Sequence, residues 1–599
     1  MKIEHAVAWT SFESGFTAPD GTRLFFRAWA PVTPSERPAR ALVILHRGHE
    51  HSGRLAQLVE RIGRRENWAF AYDARGHGHS PGIRGDAPGF AMLVSDLDAF
   101  VRHIADRYAI AVEDIVVVAN SVGAVVAATW VHDFAPRIRG LVLAAAAFRI
   151  KLYVPLAKPA LRFARRVKPD LFVTSYIQPG MLTHSREEAM AYATDPLIAK
   201  SISARILLEL ADTAERIVRD AAAIDLPVLM LVADKDFVVS EAPQALFFER
   251  LSSPLKRYVR LRDCYHAVFY EHDTKTAISA TRDFIDTCHE RASPSAAHYL
   301  QADRTGYTAR LYLALQHQSG GGGGSVLARA RFALQRRMLS MIGPLSDGMR
   351  IGLAHGFDAG ESLDYVYRNQ AGGRFGIGKM IDRGYLDAVG WRGVRVRKEQ
   401  LQCMLADRIT AHPKGEPVRI LDIAAGSARY VLETVKRFQE RDIEVTLRDY
   451  MQHNVDNARR LAAALVLRTP IQVEQCDAFS PESYAGQENR YDIAVVSGLY
   501  ELFSDNAMVS ASLRYLVRSL RPGGYLIYTA QPWHPQLDMI AHTLVNHQGK
   551  PWHMRPRAQA EMDALVELAG ARKIDTRIGV DGIFTVSLAR KETVPGAVG

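Results

Sequence analysis

"VVVANSVGAV", residues 116–125, is an unbroken run of β-branched and small residues except for one Asn-Ser pair. Val116–Val118 read as a buried strand and Ala124–Trp130 as the opening of a helix, so Ser121 falls on the turn between them. A sharp strand-to-helix turn lifts one serine oxygen clear of the top of a parallel sheet, and it tolerates only small side chains two positions to either side. Ala119 and Gly123 hold those positions. The decapeptide alone leaves open an ordinary βα turn, so the decision rests on the rest of the chain.

At 599 residues the chain is too long for one core, and two or more domains are expected. Its composition, 48% hydrophobic and 23% charged, is that of a globular protein. The longest apolar stretch, 115–131, is interrupted by Asn120, Ser121 and Thr129, so no membrane span is expected. The first residues lack the pattern of a secretory signal, and the four cysteines have neither disulfide nor metal-ligand spacing. Both features fit a reducing cytoplasm. The net charge of +10 is spread over the chain and forms no block of the kind that binds nucleic acid. Two stretches, 151–168 and 326–342, interleave Lys or Arg with apolar residues at near-helical spacing. Each reads as a solvated helix face or as an interfacial helix giving peripheral contact with a membrane.

The run "SGGGGGS", 319–325, has nothing to pack and reads as a flexible linker, natural or engineered. The expected division is therefore 1–292 as a first domain, with a helical cap at about 149–223, and 293–325 as an interdomain segment. A helical cover at 326–404 and a second domain at 405–599 complete it.

In the first half, "ALVILH" (41–46), "WAFAYD" (68–73), "DIVVVAN" (114–120), "GLVLAAA" (140–146) and "PVLMLVAD" (227–234) alternate with helical patterns. This predicts an α/β fold with a parallel sheet, whose chemistry gathers at the carboxyl ends of the strands. Asp236 and His266 both follow such strands, with Asp234 as the rival acid. In this arrangement Ser121 is the nucleophile, His266 the general base and Asp236 the group that fixes the imidazole tautomer. His49, His51, His77 and His79 lack carboxylate or thiolate company at ligand spacing, so no metal site is expected.

"VILHRGHEHSGR" (43–54), "AYDARGHGHSPG" (71–82), the Ser121 turn, "DKDFVV" (234–239) and "CYHAVFYE" (264–271) together resemble the monoacylglycerol lipase and lysophospholipase branch of the α/β-hydrolase fold. The resemblance covers about residues 15–290. It implies an acyl-ester or lysophospholipid substrate, a helical lid at the cap, and Asp236 as the acid because an apolar run follows it directly. It further implies an oxyanion hole made by the backbone N–H groups of Arg47 and Val122. Arg47 stands where that family has Gly, which puts substrate choice in question more than catalysis.

In the second half, "EPVRILDIAAGSARYVLETV" (416–435) repeats strand, turn and helix with small residues at Ala424, Ala425, Gly426 and Ala428. It resembles the loop of class I S-adenosylmethionine-dependent methyltransferases, Asp-x-Gly-x-Gly-x-Gly, with Asp422 first and alanine at two glycine positions. Strands ending in Asp449 and in Asp477-Ala478 follow, then "YDIAVVSGLYELF" (491–503) with Ser497, and "LRPGGYLIYTA" (520–530). The resemblance implies a Rossmann-like domain that holds S-adenosyl-L-methionine through Asp422, Ala424, Gly426, Asp449, Asp477, Ala478 and Ser497. Tyr365, Tyr385, Tyr500, His534 and Arg555 are candidates for an acceptor pocket whose ligand the sequence does not name. The whole arrangement resembles bacterial bifunctional α/β-hydrolase and class I methyltransferase proteins. The alternative is one catalytic half and one lipid- or membrane-docking half. A nucleic-acid acceptor is not expected, because "SGLYEL" carries neither an Asn-Pro-Pro-Tyr loop nor a Cys nucleophile.

Overall fold

The computed structural model describes residues 9–32, 39–64, 66–291, 296–320 and 325–593. The chain divides into two compact units, residues 1–294 and 295–599.

The first unit is an α/β-hydrolase fold. Its strands are β1 (Trp9–Thr17), β2 (Arg23–Pro31), β3 (Ala41–Leu45), β4 (Trp68–Tyr72), β5 (Ile115–Asn120), β6 (Gly140–Ala144), β7 (Phe172–Thr174), β8 (Ser201–Ser203), β9 (Val228–Ala233) and β10 (Lys256–Leu261). Eight of them form one sheet in the order β1-β2-β4-β3-β5-β6-β9-β10. From β4 to β10 the neighbours are parallel, and β1 and β2 add an antiparallel hairpin at the edge. Every residue of β3, β5, β6 and β9 is buried, which is why these strands read as unbroken apolar runs. In β1 burial is partial and irregular, a weaker signal, and this strand was not anticipated.

The helix Val122–Phe134 is buried along almost its whole length, between the sheet and the helices Phe90–Tyr108 and Ala204–Arg219. Its polar residues are therefore paired. Trp130 Nε1 donates to Asp98 (2.9 Å), and His132 bridges Asp133 and Asp220 (2.7 Å each) while Arg216 grips Asp133. The cap contains the helices Ala157–Val167 and Arg186–Thr194, but it is not strand-free as expected: β7 and β8 pair antiparallel within it. Three residues per strand are too few for a periodic signal.

The second unit has β11 (Val418–Ile423), β12 (Ile443–Asp449), β13 (Ile471–Gln475), β14 (Tyr491–Val496), β15 (Leu520–Ala530), β16 (Ala571–Ile578) and β17 (Thr585–Lys591). Their order is β13-β12-β11-β14-β15-β17-β16, parallel from β13 to β15 and antiparallel beyond. The order reverses direction between β11 and β14, which opens a crevice at their carboxyl ends. Between the Gly-rich run and the sheet lie five α-helices, Val326–Ile342, Asp347–His355, Gly360–Arg368, Ile377–Leu386 and Val389–Ala411.

Two expected boundaries move. The segment 293–325 is not a connector between domains, because its described helices build the second unit. Asn506 N–H donates to Asp303 (2.9 Å), and Arg555 Nη1 donates to Thr308 (2.9 Å). The Gly-rich run thus lies within the second unit, with its residues 321–324 outside the described residues. The helix Val389–Ala411 crosses the expected boundary at 404, since one continuous stripe from Val394 to Ile409 packs under the sheet and the cover together.

Candidate active sites

At the carboxyl end of β5, Ser121 has φ 53° and ψ −113°, a conformation forced by the immediate start of the helix behind it. Its N–H donates to Ala144 O (2.9 Å) and its carbonyl accepts from Ala147 N–H (3.1 Å), so the turn is held from the neighbouring strand. Gly123 is required here: a Cβ would lie 2.7 Å from His46 O and 2.9 Å from the Leu45 Cβ.

His266 Nε2 lies 2.9 Å from Ser121 Oγ, and His266 Nδ1 lies 2.8 Å from Asp236 Oδ2. Asp236 Oδ1 accepts from Val238 N–H (2.7 Å) and Val239 N–H (2.9 Å). All three side chains are buried. Burial alone would raise the Asp236 carboxyl, but His266 and the two amides outweigh it and hold it below the ordinary carboxylate range. Asp234 faces elsewhere and accepts from Cys264 N–H (3.2 Å). The apolar run after Asp236 supplies the two amides that orient it.

Arg47 and Val122 line the same small cavity, about 90 Å³, as Ser121 and His266. The Arg47 guanidinium turns onto Glu50 in a bidentate pair (2.6 and 2.9 Å) and lies over Tyr270 (5.4 Å). Its charge is thereby matched. The histidine motifs lock loops together: His46 donates from Nδ1 to Arg47 O (2.7 Å) and accepts at Nε2 from Ala74 N–H (3.1 Å), and His51 meets Asp195 (2.9 Å). Among the described residues no three His, Cys, Asp or Glu side chains gather as metal ligands. A second cavity of about 410 Å³ lies beside the first and shares Ala147, Ile150, Leu152 and Leu207 with it. Sequence reading missed the cap tether, in which Lys151 donates to Asp236 O (2.5 Å) and Tyr153 to Phe237 O (2.6 Å).

The second unit's loop after β11 has positive φ at Ala424 (51°), Gly426 (57°) and Ala428 (52°). These are the three glycine positions of the pattern, so the two alanines keep a conformation that costs a non-glycine residue roughly 1–3 kcal/mol each. Asp449, at the end of β12, accepts from Gly426 N–H (2.8 Å) with one oxygen, and from Met451 N–H and Asn454 Nδ2 (2.9 Å each) with the other. The carboxylate thus shapes the loop as well as facing it. Asp422 is fully buried and accepts from Tyr430 (2.9 Å), and burial, with Asp449 nearby, pushes its carboxyl well above the usual range. Asp477 is exposed at the end of β13, and Ala478 O accepts from Ser512 (2.8 Å).

Several buried polar atoms around this crevice have no partner: Asp422 Oδ2, Asn454 Oδ1, Ser497 Oγ, Arg397 Nε, Glu501 Oε2 and Gln531 Nε2. Such atoms cost free energy unless a ligand or water satisfies them. Together with the left-handed loop they fit a polar nucleoside-like ligand.

Beside the ends of β14 and β15 opens a cavity of about 510 Å³, walled by Phe357, Tyr385, Trp391, Trp552 and Phe584. Of the acceptor candidates, Tyr385 and His534 line it. Burial lowers the His534 pKa to about 4, and its Nδ1 accepts from Gln536 N–H (3.1 Å), which leaves Nε2 as the protonated nitrogen of the neutral ring. The other three are structural. Tyr365 donates to Asp382 (2.6 Å), Tyr500 is a core residue bonded to Ser512 (3.0 Å), and Arg555 is buried against Glu561 (2.6 Å) and Asn506 (2.9 Å). Their polar tips are spent on joining elements, which residue type alone does not reveal. Arg397, Glu501 and Gln531 were missed, although all three line this cavity.

Comparison with known proteins accords with the fold of both units. Residues 281–591 match the family model described as "Putative methyltransferase". The chain belongs to that family. Residues 36–273 match the α/β-hydrolase model described as "Serine aminopeptidase, S33". Over 579 residues, 96% of this chain and 98% of the relative, it is 44% identical to "Uncharacterized protein YnbC" of Escherichia coli. The first unit is 26% identical to "Phospholipase YtpA" of Bacillus subtilis, over 42% of this chain and 97% of that protein. It is also 26% identical to "Monoacylglycerol lipase" of Mycolicibacterium smegmatis, over 47% and 98% respectively.

Proposed function

We propose that the first unit is a serine ester hydrolase acting on acyl esters such as monoacylglycerols or lysophospholipids, and that the second transfers a methyl group from S-adenosyl-L-methionine to a small-molecule or lipid acceptor. The hydrogen-bonded line Ser121–His266–Asp236 carries the first part. Ser121 Oγ attacks the ester carbonyl while His266 Nε2 takes its proton, and Asp236 steadies the imidazolium that results. The N–H groups of Arg47 and Val122 hold the oxyanion. His266 then returns the proton to the departing alcohol, and water repeats the sequence on the acyl-serine. The apolar cavity beyond Leu152 and Leu207 accommodates the chain. A fluorophosphonate labels Ser121 in the wild type and not in Ser121→Ala; equal labelling of both would refute the assignment.

For the second part, the carrying observation is the left-handed loop 424–428 held by Asp449. When bound, the sulfonium cofactor supplies an electrophilic methyl group. Asp449 would face the ribose of that cofactor, Asp477 and Ala478 would border its base, and the aromatic cavity would keep water from the acceptor. Calorimetric titration with S-adenosylhomocysteine tests this directly.

A lipid contact is supported by the cap. Leu156, Phe163 and Val167 are exposed on or beside the helix Ala157–Val167, which also carries Lys158, Arg162, Arg165 and Arg166. Among the described residues no helix is long and apolar enough to cross a membrane, so the contact proposed is peripheral. Cosedimentation with anionic vesicles that Phe163→Ser abolishes is the expected result.

A further inference from the structure

Arg397 lies on the helix Val389–Ala411 with its side chain inside the protein, 4% exposed. A buried guanidinium ordinarily has a carboxylate beside it, because removing an unpaired charge from water is costly. Here no salt bridge forms among the described residues, and Glu501 acts on the guanidinium only through space. Arg397 instead stacks over Phe584 (4.6 Å) and donates one long bond to Tyr367 Oη (3.5 Å), and its Nε has no partner. Its Nη atoms stand over Gly498, 3.2 Å from where a Cβ would be. Gly498 follows β14 at the mouth of the crevice.

Glu501, three residues on, shows the complementary defect. Its Oε1 accepts from Thr529 (3.0 Å), whose hydroxyl also accepts from Gly498 N–H (2.9 Å), so the carboxylate is fixed in place. Its Oε2 is buried without a partner. The same cavity therefore presents a guanidinium and a half-free carboxylate that act on each other through space without forming a salt bridge, with room for a ligand group on each. A purely apolar ligand would leave both charges stranded, and a simple anion would leave Glu501 facing it.

We propose that Arg397 and Glu501 form a receptor for an α-amino-acid group, with the carboxylate on the guanidinium and the ammonium on Glu501 Oε2. The inference rests on the reading of this unit as a methyltransferase, because that reading supplies one source of such a group, the methionyl end of the cofactor. The other source is an acceptor that is itself an amino acid.

The test uses the full chain and calorimetry, with S-adenosylhomocysteine and 5′-methylthioadenosine as probes. The two share nucleoside and thioether and differ in the α-amino-acid end. Arg397→Met is expected to weaken S-adenosylhomocysteine at least about tenfold, from the usual cost of a lost charged hydrogen bond, while methylthioadenosine stays within about twofold. Arg397→Lys keeps the charge without the fork and should fall between. Glu501→Gln should weaken the same probe selectively. If the group belongs to an acceptor, S-adenosylhomocysteine is indifferent to Arg397→Met, and L-phenylalanine or L-tryptophan, titrated with S-adenosylhomocysteine saturating, binds the wild type and not the variant. Indifference in both arms, or equal weakening of both nucleosides, overturns the proposal. Failure of the wild type to bind either nucleoside overturns the methyltransferase reading itself. The melting temperature separates folding from binding, since replacing an unpaired buried charge by Met should leave it unchanged or raise it.

Discussion

Asp236→Asn isolates the role of one oxygen. In the wild type Oδ1 accepts from the buried amides of Val238 and Val239, and Oδ2 accepts from His266 Nδ1 (2.8 Å). Asparagine has a single acceptor oxygen. The two amides retain it, because two buried donors left unpaired cost more than one altered bond. The amide NH2 must then face His266 Nδ1, which becomes an acceptor and sends the ring proton to Nε2. That nitrogen meets Ser121 Oγ as a donor and no longer as a base. The fold survives while turnover falls on the order of 10⁴-fold, as expected for a wrong tautomer, or about 5.5 kcal/mol in barrier. Hydrolysis of p-nitrophenyl butyrate by the full chain measures it, with circular dichroism as the folding control. Asp234→Asn, whose carboxylate accepts from Cys264 N–H and lies outside the His266 line, is the paired control and should stay near wild type. A loss below tenfold in Asp236→Asn, or an equal loss in both variants, refutes the reasoning.

The remaining predictions follow from buried charges. Asp449→Ala removes the acceptor of Gly426 N–H, Met451 N–H and Asn454 together, and should weaken S-adenosylhomocysteine at least about tenfold by calorimetry. Arg555→Met breaks the buried pair with Glu561 and should destabilise the second unit by about 3–5 kcal/mol in denaturant melts, with little change in ligand affinity. Burial by itself lowers the His132 pKa, but Asp133 and Asp220 overcome it and hold the value at about 9. Because the folded value lies above the unfolded one, this stabilisation is complete below about pH 6.5 and is lost as pH rises through 9, with an upper bound of roughly 3 kcal/mol. Melts at pH 6 and pH 9.5 should show that loss in the first unit, and His132→Gln should flatten it.

Much of the fold was readable because buried parallel strands leave a plain signature. All five strands expected in each half appear, with their carboxyl ends where the chemistry gathers. The parts not read had weaker signatures. β1, β2, β16 and β17 lie at or beside sheet edges, and β1, β2 and β16 are only partly buried, so their patterns are diluted. β7 and β8 are too short to show a period. The error at 293–325 came from treating glycine content as a domain boundary. Glycine reports the absence of side-chain packing in the run itself and says nothing about which core its neighbours join.

The acceptor side was misread for a different reason. Tyr365, Tyr500 and Arg555 were chosen by residue type, yet a buried polar side chain more often joins two elements than faces a ligand. What separates Arg397 from them is not its chemistry but the failure of that chemistry to be satisfied, which a sequence does not display. One trace was nevertheless present. Val394, Arg397 and Leu401 fall three and four residues apart, on the helix face that buries Trp391, Met404 and Leu405. An arginine in the middle of an apolar stripe must bring a partner or await one. In Arg555 the partner is Glu561. Arg397 has no salt-bridge partner: it meets an aromatic face and a glycine, with Glu501 acting on it only through space across an open cavity. The same contrast holds between the two units. Ser121, His266 and Asp236 are joined by hydrogen bonds within the protein, whereas the crevice of the second unit leaves Arg397 Nε and Glu501 Oε2 without partners.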